Sequence, residues 1–130
     1  VAMDLLNPGS HGRTFGGNPL ASAVASEAIE LLKDERLAEN SSKVGVYFLE
    51  ELRQIEHPLI KEVRGLGLFI AIELYKNKAR EMCELLLEKQ IICLPRKDNI
   101  LSFAPPLIIT KKEIDWGLER IKTVFKYLKV

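Results

Sequence analysis

The chain has 130 residues, 47% of them hydrophobic, and its charged residues (28%) nearly cancel to a net charge of +1. That length suits one compact domain rather than two. The charge balance gives no electrostatic reason to expect nucleic acid or an acidic membrane as partner, and no apolar run approaches the ~18 residues that a bilayer span needs.

Lys and Arg are spread along the chain and form no basic block. Two cysteines, Cys83 and Cys93, are too few for a disulfide framework or a zinc site. They read as buried free thiols, and a reducing, cytoplasmic setting is expected. The chain opens Val1-Ala2-Met3, without an initiator methionine and without the pattern of a secretory leader. We read it as a segment of something longer.

In chain order, the first 18 residues are loop-like and rich in glycine. Asn18-Pro19 then predicts a helix start, with asparagine as N-cap and proline at the first helical position. This helix is expected to run to about Lys33. Its many small residues (Ala21, Ser22, Ala23, Ala25, Ser26, Ala28) let other backbones approach closely, so it is expected to be well buried. A second helix follows Asp34, with Leu37, Val44, Phe48, Leu52 and Ile55 at helical spacing. Gly45 reads as a weak point within it, and His57-Pro58 as its end.

Ile60 to Val63 and Leu68 to Leu74 read as strands joined by a turn at Arg64-Gly65-Leu66-Gly67. A third helix is expected over about Lys78 to Lys89, with Ala79, Met82, Cys83 and Leu86 on one face. Two short strands follow, Ile91 to Leu94 and Ile100 to Phe103. Ala104-Pro105-Pro106 stops the sheet, because proline has no N–H to give to a ladder. Thr110-Lys111-Lys112-Glu113 is a capping-box sequence. It opens a last helix with Ile114, Leu118, Ile121, Phe125 and Leu128 on its apolar face. The expected fold class is α+β, a short antiparallel or mixed sheet covered by helices and preceded by a long helix.

Chemistry concentrates in Ser10-His11-Gly12-Arg13-Thr14-Phe15-Gly16-Gly17-Asn18-Pro19. Glycines admit positive φ and a close approach of backbone to an anion. A hydroxyl and unpaired N–H groups at a helix start favour phosphate. The segment is a phosphate-site candidate, with a purely structural glycine-rich connection as the alternative. It is neither a Walker A loop nor a dinucleotide fingerprint, since the required spacing is absent.

Pro8 to Ala21 resembles a stretch of the class III, pyridoxal-phosphate-dependent aminotransferases, and most closely their bacterial ornithine-specific members. Glu62-Val63-Arg64-Gly65-Leu66-Gly67-Leu68-Phe69-Ile70 and Phe103-Ala104-Pro105-Pro106-Leu107-Ile108-Ile109-Thr110 are similar to two further stretches, in family order. The resemblance implies part of a fold-type-I enzyme. Residues 1–34 would be the end of the large cofactor domain with an interdomain helix, and residues 35–130 the small C-terminal domain. It implies pyridoxal 5'-phosphate as cofactor, with Thr14 donating its hydroxyl to the phosphate of a neighbouring subunit and Arg13 beside it. A homo-oligomer, or a full-length relative, is the implied partner. The implied reaction passes an amino group between ornithine and 2-oxoglutarate. The lysine that holds the cofactor and the Asp that pairs with its ring nitrogen lie upstream in the family, so this chain is expected to be inactive alone. Lys33, Lys43 and Lys61 read as solvated surface residues.

Three positions depart from the family pattern. Ser102 stands where relatives carry an arginine that grips a substrate carboxylate, a contact serine cannot reproduce. Arg96 and Lys97 are the nearby cations. Arg13 replaces a small hydroxyl residue, and Leu66 a basic one. These departures also fit a non-catalytic, degenerate paralogue that acts as an oligomerisation or interaction module.

Overall fold

The computed structural model describes residue 12 and residues 14–128. The chain divides into two compact units, one ending at Glu35 and the other starting at Arg36.

The first unit holds a turn over 14–17 and helix α1 (Pro19–Asp34). The cap works as the sequence predicts. Asn18 Oδ1 accepts from the Ala21 N–H at 3.0 Å, its Nδ2 donates to the Phe15 carbonyl at 2.7 Å, and Pro19 occupies the first turn. The expected burial is not found: no residue of α1 is buried. Leu20, Val24 and Ile29 are all more than half exposed. Small residues permit close packing, but they do not supply the surface to pack against.

The second unit contains α2 (Leu37–Arg53), β1 (Ile60–Leu66), β2 (Phe69–Leu74), α3 (Ala79–Glu88), β3 (Leu94–Arg96), β4 (Ile100–Phe103) and α4 (Lys111–Tyr127). The four strands form one wholly antiparallel sheet in the order β1-β2-β4-β3. Helix α2 packs on the β1–β2 half and α3 on the β4–β3 half, while α4 lies against both helices. Side chains alternate across a strand. Ile70, Ile72, Leu101 and Phe103 accordingly turn inward and meet Phe48, Leu52, Met82, Leu86, Ile121 and Phe125 in the core.

Several boundaries differ from expectation. Arg64, Gly65 and Leu66 belong to β1, and the connection shrinks to Gly67-Leu68, with Leu66 paired to Phe69. Gly67 has φ +56°, which a residue without Cβ adopts at no steric cost. Gly45 is no weak point. It is buried, and a Cβ there would lie 2.2 Å from the Gly67 carbonyl. The two glycines let α2 approach the β1–β2 hairpin, and Ser41 Oγ accepts from the Leu68 N–H at 3.2 Å to close the junction. α2 ends at Arg53, before His57-Pro58.

β3 begins at Leu94, not Ile91. The chain leaves α3 through Gln90 at φ +65° and needs the following residues to regain the sheet. Pro95 sits in the middle of β3, which is tolerable because β3 is an edge strand. The capping box at Thr110 and Glu113 is complete, and its hydrogen bonds hold the Glu113 carboxyl below its ordinary pKa. The Tyr47 hydroxyl donates to Asp115, joining α2 to α4, and that bond pushes the phenol up to about 12. Lys111 Nζ lies 4.2 Å from the centre of the same ring.

Candidate functional site

Two places carry the residues singled out by the sequence, one in each unit. In the first, Thr14 is exposed in the turn that leads into the capped start of α1, and Gly17 has φ +73°. The local chemistry is an accessible hydroxyl followed by a helix N-terminus, the arrangement that suits a phosphate. His11 and Arg13 lie outside the described residues.

In the second unit, register brings distant residues into line. Arg64, Ala71, Ser102 and Leu94 stand side by side across the four strands. Ser102 follows Leu101 and precedes Phe103, both in the core, so alternation turns it to the opposite sheet face. It is nonetheless 6% exposed, the only buried polar side chain among the described residues. The adjacent row is Glu62, Glu73, Ile100 and Arg96.

Two carboxylates, Glu62 and Glu73, thus face each other across β1 and β2, which alone would be repulsive. Arg64 Nη1 donates to both, at 2.7 Å each, and Lys61 Nζ reaches Glu73 at 2.7 Å. The hydrogen bonds from Lys61 and Arg64 hold the Glu73 carboxyl below its usual range. The same bonds raise the pKa of Lys61 and Arg64. The sheet face beside Ser102 therefore carries a fixed cation, Arg64, between two anions. Arg96 shares this face two pairs along the ladder from Ser102, whereas Lys97 lies in the β3–β4 turn at φ +54°.

The third motif shapes a cleft. Phe103 to Pro106, with Ile109 and Trp116, line an open apolar depression of about 1080 Å³. Asn40 Nδ2 pins its rim to α2 by donating to the carbonyls of Leu107 (2.7 Å) and Ile109 (3.2 Å). Among the described residues no cluster of His, Cys, Asp or Glu could hold a metal, and no helix is long and apolar enough to cross a membrane.

The family model for class III aminotransferases matches residues 2–125. The chain belongs to that family. The ornithine aminotransferase of Geobacillus sp. (strain WCH70) is 53% identical over 123 residues, covering 95% of this chain and 31% of the relative. That of Bacillus subtilis (strain 168) is 52% identical over 124 residues, with the same coverage. Among solved structures, the acetylornithine aminotransferase from Elizabethkingia anophelis superposes with a TM-score of 0.84 at 37% identity, over 97% of this chain and 33% of that one. The ornithine aminotransferase from Toxoplasma gondii ME49 gives 0.82 at 42% identity, over 95% and 31%. The class III chain thus spans about one third of the length of its relatives, and its fold is an α+β portion of a fold-type-I transferase.

Arg64 is the residue that sequence reasoning missed. Its glycine neighbours made it look like part of a turn. The polar alternation of Glu62 and Arg64, with Glu73 two positions beyond Ala71, was the available sign of a strand face. The lysines behave as expected: Lys43 is exposed, Lys33 pairs with Glu30 and Lys61 with Glu73 at the surface.

Proposed function

We infer that this chain is the C-terminal part of an ornithine aminotransferase, passing an amino group between ornithine and 2-oxoglutarate with pyridoxal 5'-phosphate. The observation that carries this reading is the exposed Thr14 hydroxyl at the start of a capped helix, within a chain 53% identical to an ornithine aminotransferase. The donor chemistry fits the cofactor's phosphate, because the Thr14 hydroxyl can make a charge-assisted hydrogen bond to a dianion near the positive end of a helix dipole, although the Ala21 and Ser22 N–H groups are taken by Asn18. When bound, the cofactor supplies an electron sink for the carbon that carries the transferred amine.

Thr14 would orient the phosphate, and Arg13 would add positive charge beside it. In this reading the phosphate belongs to a cofactor bound chiefly by a neighbouring subunit, so a homo-oligomer or a full-length relative is the partner. Residues 1–34 end the cofactor domain, and residues 35–130 form the small domain that helps to shape the substrate site. The lysine that holds the cofactor lies elsewhere in the whole protein, and this chain is inactive alone.

Ser102 favours a second reading. Exchanging the relatives' carboxylate-gripping arginine for serine removes a contact worth ~2–5 kcal/mol. Arg96, on the same sheet face, is the cation available to replace it, with Lys97 the next in sequence. Without such a substitute the chain acts as a non-catalytic oligomerisation module.

The test replaces the last third of the Bacillus subtilis relative with this chain and measures cofactor affinity by absorbance, alongside transamination. Thr14→Val should weaken cofactor binding about tenfold or more, and unchanged affinity would sink the reading. Transamination at the parent rate would remove the second reading. Borohydride reduction of this chain alone with the cofactor should label no single lysine stoichiometrically.

A further inference from the structure

Cys83 projects from α3 and Cys93 lies just before β3, both as free thiols. Their Sγ atoms are 3.1 Å apart. A disulfide bond measures about 2.05 Å, so the sulfurs need to approach by roughly 1 Å. The pair opens onto a shallow depression lined by Arg80, Glu84, Leu87 and Ile92. Leu87 and Ile92 are strongly exposed, and Cys83 is the less buried of the two cysteines. An outside reagent can therefore reach one sulfur while the other waits behind it.

We propose that Cys83 and Cys93 are an oxidisable pair, which a small-molecule disulfide such as glutathione disulfide converts into an intrachain bond tying α3 to the residue that leads into β3. The Cys83 thiolate attacks one sulfur of the reagent, forming a mixed disulfide and expelling one glutathione thiolate, which takes up the proton Cys83 lost. The Cys93 thiolate then attacks the Cys83 sulfur and expels the second glutathione, which is protonated in turn. Two protein thiols are oxidised and one glutathione disulfide is reduced to two glutathiones, so the step balances.

Burial holds both thiols above their ordinary pKa, Cys93 further than Cys83. Arg80 and Glu84 of α3 are the charged groups beside the pair, and Ile92 and Pro95 on the other side carry none. Thiolate is therefore scarce at neutral pH, and the exchange accelerates as the solution becomes alkaline.

The full folded chain is incubated with glutathione disulfide and followed by intact mass, peptide mapping and thermal melting. The expected product is lighter by two hydrogens, with Cys83 and Cys93 in one cross-linked peptide pair. Its melting midpoint rises by on the order of 10 °C and falls back after dithiothreitol. Cys93→Ala should halt the reaction at a glutathione adduct on Cys83. Cys83→Ala, which leaves only the sheltered sulfur, should react about tenfold more slowly than the unsubstituted chain. Thiols that stay free in the unsubstituted chain, glutathione adducts that persist there, or disulfides between chains overturn the proposal, and these outcomes need no variant to fold.

Discussion

The unit that ends at Glu35 and the unit that begins at Arg36 keep their shapes by different means. In the first, the side-chain hydrogen bonds among the described residues join positions three or four apart, as from Asn18 to Phe15 and Ala21 or from Ser26 to Ser22. In the second, Asn40 reaches Leu107, Tyr47 reaches Asp115, and Lys122 reaches Glu51, each across more than sixty residues. Among the described residues, only the second has buried side chains to make its order cooperative. The segment proposed to contact the cofactor thus rests on local capping, while the sheet and cleft rest on a core.

Substitutions sharpen this contrast. The largest difference is expected between two leucines. Leu52→Ala, at a fully buried site, should lower the unfolding free energy by ~3 kcal/mol. Leu20→Ala, on exposed α1, should change it by no more than ~0.5 kcal/mol. Urea denaturation followed by circular dichroism measures both, and equal losses would erase the distinction between the units.

Gly45→Ala comes next. Its added methyl would meet the Gly67 backbone, and overpacking of this kind costs ~1–3 kcal/mol. A neutral result would mean that α2 and the hairpin are not held in contact.

The smallest effects belong to the helix starts. Thr110→Ala should cost about 1 kcal/mol in the main transition. Asn18→Ala, with the same chemistry at α1, should reduce helical signal without moving that transition. If both shift the same midpoint, α1 unfolds together with the core.

The parts of this fold that could be read in advance are those decided by near neighbours. Asn18-Pro19 and the Thr110–Glu113 box mark their helices because the capping bonds span three residues. What could not be read depends on long-range contact. Arg64-Gly65-Leu66 looks like a turn until β2 is placed beside it, and Gly45 looks like a flaw until Gly67 is packed against it. The candidate site divides in the same way. Thr14 belongs to a contiguous motif and could be proposed from the sequence alone. The alignment of Ser102 with Arg64 depends on two strand registers, and the meeting of Cys83 with Cys93 on how a helix and an edge strand pack. No local pattern encodes these.

The borders of the sheet carry one more implication. β3 has three residues with proline at its centre, and β1 has an irregular register between Ile60 and Glu62 beside the charged pair of Lys61 and Glu73. An intruding strand meets a missing donor at one margin and a kinked, ionic margin at the other. Fibril-like growth by lateral addition is thereby discouraged at both ends of the ladder.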